Sequence, residues 1–332
     1  MRGVDSWEPD ILGKGFEQLT LPLGEDHEGP LVATLVRHLP SRRPRLAPAS
    51  LEGVDVLYIH GWSDYFFNRR FARFWSGRGA RFFALDLRKY GRSLREGQTP
   101  GYISDLGEYD AEIGAAMAAM GRDADGTGAR RLILVGHSTG GLILSLWADR
   151  HPEAASALVL NSPWLEFQLT GITRMAIAPV LELHSRLRPL DNWPQVDFGY
   201  YSQAQSEVAD ADDPMDIVEE WRPERSMTVH VGWIHAVVAG HARVAAGLAV
   251  DAPVCVLLSS QTVVPTKWSD ALTRADSVLV VDDIARASLR LGPSVTVERI
   301  AGALHDVFLS RHDVRAHAYA RLGRWADAAM GS

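Results

Sequence analysis

Residues 131–141 read Arg-Leu-Ile-Leu-Val-Gly-His-Ser-Thr-Gly-Gly, a short apolar strand that runs straight into G-x-S-x-G with Ser138 at its centre. A serine on a sharp strand-to-helix turn adopts strained backbone angles, so Gly136 and Gly140 must lack side chains that would clash across the turn. The following residues, Leu142 to Ala148, continue as a helix that His151-Pro152 stops. Strand, glycine-flanked serine and helix together are the context of a nucleophile elbow, and they make Ser138 the first candidate nucleophile.

Outward from the elbow, the chain alternates buried strands with helices. Towards the N-terminus, Arg81 to Leu87 and Val54 to Ile59 read as strands, and helices are expected within Ile103 to Met120 and over Phe66 to Gly77. Two earlier runs, Phe16 to Leu23 and Leu31 to Leu39, read as an antiparallel hairpin across a Gly/Asp-rich turn. Beyond the elbow come a strand at Ala157 to Leu160, a helix at Trp233 to Leu248, a strand at Pro253 to Ser259, a helix at Asp282 to Leu291 and a strand at Ser294 to Ile300. A last helix follows His305. Nearly continuous apolar strands alternating with helices imply an α/β architecture with a mostly parallel sheet covered on both faces. The rhythm breaks at Trp164 and resumes after residue 231, which predicts a core of residues 1–163 and 232–332 and a helical lid of residues 164–231 inserted after the sixth strand. Pro40 to Pro48 reads as an exposed loop.

Composition sets outer bounds. A chain of 332 residues, 46% hydrophobic, can bury a large core. A net charge of −7 argues against a nucleic-acid partner, because phosphate binding needs a basic face. Met1 to Gly13 lacks an apolar stretch of signal-peptide length and no run approaches a membrane span, so the expectation is a cytoplasmic monomer or homodimer. The single cysteine, Cys255, lies in an apolar run and reads as a small buried hydrophobe. Three lysines beside many arginines and alanines suggest a GC-rich bacterial genome.

A serine hydroxyl needs a base within hydrogen-bond reach and a third group to orient that base. Among twelve histidines His305 is the strongest base candidate, since it follows the last strand in Ile300-Ala301-Gly302-Ala303-Leu304-His305-Asp306 at the sheet edge where Ser138 also lies. His60 and His137 read as locked to turns, and His235 and His241 as surface or lid contacts. The acid is harder to assign, because the loop after Ser259 reads Ser260-Gln261-Thr262 with no carboxylate. Asp276, 29 residues before His305, suits an acid loop lengthened by an insertion at 262–275. Asp270, read as a solvated loop residue, Asp282, read as a helix N-cap, Asp283, and Glu166 remain alternatives. Backbone N–H donors for a developing oxyanion are expected from Thr139 in the elbow and from Trp62 in the turn His60-Gly61-Trp62.

The ordered set His60-Gly61-Trp62, Asp86 to Ser93, Gly136 to Gly141 and Ala301 to Asp306 resembles the α/β-hydrolase superfamily, within it most closely the monoacylglycerol lipases, lysophospholipases and bacterial carboxylesterases. The resemblance spans Val54 to the C-terminus apart from the lid. It implies an eight-stranded, mostly parallel sheet with helices on both faces, a triad of Ser138, His305 and an acid, and oxyanion donors at Trp62 and Thr139. It assigns Asp86 to Ser93 a structural role. The absent carboxylate after Ser259 departs from the family pattern and leaves the acid open.

A serine at the elbow, where other branches carry aspartate or cysteine, leaves hydrolysis of a small-molecule carboxylic ester through an acyl-enzyme, with no metal or organic cofactor needed. Thioesterase, peptidase, C–C hydrolase and perhydrolase or haloperoxidase chemistry share the same triad, and a non-catalytic ligand receptor is a remote alternative. The pocket is expected from Trp62, His137, Trp164, Leu165, Trp193 and Tyr200, with Phe167, Met175, Ile177, Leu181 and Phe198 adding apolar surface for medium-sized hydrophobic esters. The acidic segment Glu207 to Glu220 shows no ligand spacing, and Asp213-Pro214 there reads as a helix start, so no metal site is expected.

Overall fold

The computed structural model describes residues 6–40, 49–167, 181–210 and 214–331. The arginine- and proline-rich stretch 41–48, and Met175 and Ile177 of the expected lid surface, lie outside the described residues.

The strands are β1 (Glu8–Pro9), β2 (Phe16–Asp26), β3 (Gly29–His38), β4 (Val54–Ile59), β5 (Arg81–Asp86), β6 (Arg131–His137), β7 (Ala157–Asn161), β8 (Val254–Ser259) and β9 (Val295–Ile300). They form one sheet in the order β1-β2-β3-β5-β4-β6-β7-β8-β9. The expected count was eight; the ninth is the two-residue β1, which pairs antiparallel with β2 through Glu8 and Pro9. β2, β3 and β5 are joined antiparallel, and every pair from β5·β4 to β8·β9 is parallel.

The helices are α1 (Arg69–Gly77), α2 (Asp110–Ala119), α3 (Thr139–Arg150), α4 (Tyr200–Glu207), α5 (Val231–Ala246), α6 (Val281–Ser288) and α7 (His312–Ala329). Strand side chains divide by period two between them. Val56 of β4 and Ile133 and Val135 of β6 pack with Phe71 and Trp75 of α1 and Leu322 of α7. Leu57 and Leu134, pointing the other way, pack with Ile113 of α2, Trp147 of α3, Val237 of α5 and Ile284 of α6. Every residue of β4, β7 and β8 is buried, which is why these strands read as nearly continuous apolar runs. Each fully buried aliphatic side chain in these layers contributes about 1.5–3 kcal/mol. Cys255 lies wholly inside β8, and burial pushes its thiol well up.

Two helix starts differ from expectation. Helix α1 begins at Arg69, because Asn68 caps it by accepting from the Phe71 N–H at 3.0 Å. Helix α6 begins at Val281 behind Val280, so Asp282 sits in its first turn and pairs with Arg299 instead of capping. Asp213 lies outside the described residues, and no helix follows Pro214 at 214–218.

Strand β4 lies between β5 and β6, so the chain leaves it in opposite directions on either side. In open α/β sheets the crevice at such a reversal, beyond the carboxyl ends of the strands, is where ligands bind. Ile59 pairs with Gly136, so the turn after β4 and the turn after β6 are immediate neighbours there. Between β7 and α5 the chain makes its long excursion; α4 and a helical stretch at 181–187 belong to it. Among the described residues no helix is long and apolar enough to cross a membrane.

Candidate active site

Ser138 joins β6 to α3 with φ 50° and ψ −117°, a conformation that costs a non-glycine residue on the order of 1–3 kcal/mol. The neighbouring glycines make that turn possible. A Cβ on Gly140 would collide with the carbonyl oxygens of Ile59 and His60, and one on Gly136 would stand 2.6 Å from the Gly140 oxygen. The strained serine is held from both sides: its N–H donates to the Asn161 carbonyl at 3.0 Å, and its carbonyl accepts from the Trp164 N–H at 2.9 Å.

Ser138, Trp62, Thr139 and His305 all line one cavity of about 690 Å³ at the carboxyl edge of the sheet. His305 follows β9 and is buried; its Nδ1 lies 2.9 Å from Asp276 Oδ2. With Nδ1 committed to the carboxylate, Nε2 is the ring nitrogen left for the cavity. Asp276 is itself oriented by two backbone donors, Val278 N–H at 2.7 Å and Leu279 N–H at 2.8 Å, both to Oδ1. No hydrogen bond joins the Ser138 hydroxyl to His305 among the described residues, a looseness common before substrate binds.

The other acids lie elsewhere. Asp270 is exposed at the start of a 3-10 turn, Asp282 pairs with Arg299, and Asp283 pairs with Arg286. Glu166 lines a separate, smaller cavity with His241 and Arg290. Two acids of 207–220 have other partners, Asp210 pairing with Arg315 and Arg70 and Asp216 with Arg69. No group of three or more His, Cys, Asp or Glu is arranged to hold a metal among the described residues.

The backbone N–H groups of Trp62 and Thr139 have no acceptor among the described residues. Thr139 is the first residue of α3, where an N–H has no partner inside the helix. Gly61 brings the Trp62 turn close: a Cβ there would stand 3.0 Å from the Ser138 Cβ. Two unspent donors thus flank the serine, at the positive end of a helix.

Both remaining histidines at the site are tied to backbone. His60 Nε2 accepts from the Leu87 N–H at 3.1 Å, and His137 Nδ1 lies 3.0 Å from the Asn161 carbonyl. Burial holds the His137 imidazole below the usual histidine range, against the pull of Asp306 and helped by neighbouring His305. His241 is buried and its Nε2 donates to the Trp164 carbonyl at 2.8 Å. The structural loop Asp86 to Ser93 is knitted internally: Asp86 accepts from the Phe66 and Arg92 N–H groups, and Arg92 bridges Asp86 to Asp10.

Of the expected pocket residues, Trp62, His137, Trp164, Trp193 and Tyr200 line the cavity, as do Phe167 and Phe198. Leu165 does not. It is 1% exposed and turned into the core, facing the smaller cavity beside Glu166. Leu181 is also buried in the core. Sequence reading missed a polar group on the cavity wall. Arg222 donates from Nε to Asp64 at 2.8 Å and from Nη2 to Gln205 at 2.7 Å, and Tyr201 sets its ring edge-on to His305 at 5.7 Å. The Tyr201 hydroxyl accepts from the Asp306 N–H at 3.1 Å. No motif announces these residues; three of the four stand in the excursion between β7 and α5, and only its folding brings them to Asp64 and His305.

A model of the family described as serine aminopeptidase, S33, matches residues 54–308 of the chain. No curated protein matches. Solved structures share the fold at low identity. A soluble variant of the monoglyceride lipase of Saccharomyces cerevisiae is 16% identical with a TM-score of 0.63, covering 94% of this chain and 97% of that one. The monoacylglycerol lipase of Paleococcus ferrophilus is 17% identical with a TM-score of 0.59, covering 83% and 94%. A thermophilic esterase from Thermogutta terrifontis is 14% identical with a TM-score of 0.54, covering 94% and 99%.

Proposed function

The chain belongs to the serine aminopeptidase S33 family of α/β-hydrolases, and from that premise we propose that it cleaves carboxylic esters through an acyl-enzyme on Ser138. The observation that carries this reading is the chain Asp276–His305 beside Ser138 at one cavity, with two unspent N–H donors flanking the serine. In the first half-reaction the Ser138 hydroxyl attacks the ester carbonyl while His305 Nε2 takes its proton. The carbonyl oxygen becomes an anion held by the Trp62 and Thr139 N–H groups, each worth about 10²–10³ in turnover. His305 then returns the proton to the departing alcohol. In the second half a water, deprotonated by His305, attacks the acyl-serine and the carboxylic acid leaves. Asp276 keeps the imidazole in the productive tautomer throughout.

Residues 164–231 serve as the lid, giving the cavity Trp193, Tyr200 and Arg222. The partner is a small-molecule substrate, a medium-sized hydrophobic ester, and the cycle needs no metal or organic cofactor. A second reading, cleavage beside a free amino group, is favoured by the family's description and by Asp197 and Glu224 in the cavity wall. Burial pushes the Asp197 carboxyl up, but donors from Ser226 and Gly199 outweigh it and hold it below the usual carboxylate range, suited to an ammonium.

Turnover of short p-nitrophenyl esters and of aminoacyl p-nitroanilides, run alongside fluorophosphonate labelling, separates the two. Ester hydrolysis and labelling that both vanish in Ser138→Ala are expected. Retained ester turnover in that variant would overturn the reading, and turnover confined to the anilides would favour the second.

A further inference from the structure

We infer that the acyl side of this cavity selects an aryl group, so that the preferred substrates are esters of acids carrying a planar aromatic ring near the carbonyl. This rests on the ester-hydrolase reading and narrows it. Of the chain's ten tryptophans, Trp62, Trp164, Trp193 and Trp233 line the cavity that holds Ser138. Trp233 of α5 is 1% exposed, with its ring 3.9 Å from that of Trp62 at 44° and 6.0 Å from that of Trp164 at 35°. Trp62, Trp164 and Trp193 are only partly buried while lining the cavity, so part of each indole is open to whatever enters.

Position decides which half of the ester these rings meet. Trp164 donates its backbone N–H to the Ser138 carbonyl, and Trp62 carries one of the two unspent backbone N–H groups, so both residues stand at the serine. His305, which must return a proton to the leaving oxygen, has the ring of Tyr201 edge-on at 5.7 Å, and the Arg222–Asp64 pair lines the same cavity. The alcohol therefore leaves past polar groups and the acyl group lies among indoles.

An indole wall does more for a ring than for an alkyl group of equal size. Offset or edge-on aromatic contacts multiply affinity about 2- to 12-fold beyond area burial. Area alone predicts the reverse preference for a saturated ring, which exposes more apolar surface than its aromatic counterpart.

The test compares ethyl 3-phenylpropanoate with ethyl 3-cyclohexylpropanoate, identical in alcohol and linker, on the full chain. The expected result is a kcat/KM ratio of about tenfold in favour of the phenyl ester, falling towards one in Trp164→Leu. Trp193→Leu serves the same purpose should the first variant fail to fold. A wild-type ratio at or below one overturns the inference, as does a preference that survives both substitutions. If neither ester is cleaved while aliphatic p-nitrophenyl esters are, the aryl inference falls and ester hydrolysis stands. If no ester is cleaved and Ser138 does not label, both fall together.

Discussion

Thr262 pairs with Asp276 in an isolated parallel bridge, with the Asp276 N–H donating to the Gln261 carbonyl at 3.0 Å and the Val263 N–H to the Asp276 carbonyl at 2.9 Å. The segment 263–275 is thereby folded out as a closed excursion. Asp276 returns to the place beside the end of β8 where the sequence shows Ser260-Gln261-Thr262 and no carboxylate. Asp276 is displaced along the chain but not in space.

That pairing predicts a sharp division among the aspartates. Asp276→Asn leaves the hydrogen bond to His305 but inverts the tautomer, and kcat should fall by about 10⁴, as loss of a triad acid does elsewhere. Asp270→Asn and Asp282→Asn, which touch neither His305 nor the cavity, should stay within twofold of the parent on p-nitrophenyl esters. A large loss in either of these two, with Asp276→Asn active, would reassign the acid.

Local patterns account for what the sequence makes plain. The elbow is a contiguous motif whose Gly136 answers a clash with Gly140 and Gly141 a few residues away, and buried parallel strands announce themselves as apolar runs. The sequence leaves Asp276, 29 residues before His305, as one of several candidate acids, because the Thr262 bridge that brings it to His305 is a tertiary contact with no local sign. Leu165 was misplaced for a similar reason. Trp164 lines the large cavity while its neighbour Leu165 is buried against the core, a division that adjacency in the chain does not show. The group of Asp64, Arg222, Gln205 and Tyr201 joins residues up to 158 positions apart, beyond any motif.

At the elbow, Gly140→Ala should lower both stability and turnover. The added methyl meets the backbone oxygens of Ile59 and His60, which cannot step aside as a flexible side chain can. Overpacking of this kind costs about 1–3 kcal/mol, and each kcal/mol lowers Tm by at most about 2–4 °C in a chain this long. A thermal melt with an ester assay on the same sample checks both, and an unchanged Tm with full activity would contradict the geometry.

Away from the site, His38 gives the protein a pH dependence of defined sign. Burial first, then the charge of Arg73, lowers its imidazole to about 4, and its Nδ1 sits 2.7 Å from Ser76 Oγ. The unfolded chain takes up this proton near pH 6.5, whereas the folded chain does not until about pH 4. Its contribution to stability is therefore intact above pH 6.5, declines as pH falls through that window and levels off below about 4. Melting curves between pH 7.5 and 4 should show a shallower decline in His38→Asn than in the parent; parallel curves would rule His38 out as a source.

Arg92 is where one substitution should do most damage outside the active site. Its guanidinium bridges Asp86 at 2.7 Å and Asp10 at 2.6 Å with all three side chains buried, and Nη1 also donates to the Phe66 carbonyl at 3.0 Å. Removing it leaves two carboxylates in the interior with no compensating charge. Breaking a buried pair in this way costs about 3–5 kcal/mol, whereas an isosteric neutralisation of one acid removes only part of the arrangement. Arg92→Met should lower the urea midpoint far more than Asp10→Asn does. The contrast matters because Asp86 also receives the Phe66 N–H, just past the turn that carries Trp62. The Arg92→Met chain, assayed well below its own midpoint, should then show reduced kcat on top of reduced stability. Equal urea midpoints for Arg92→Met and the parent would mean the ion triad is energetically neutral.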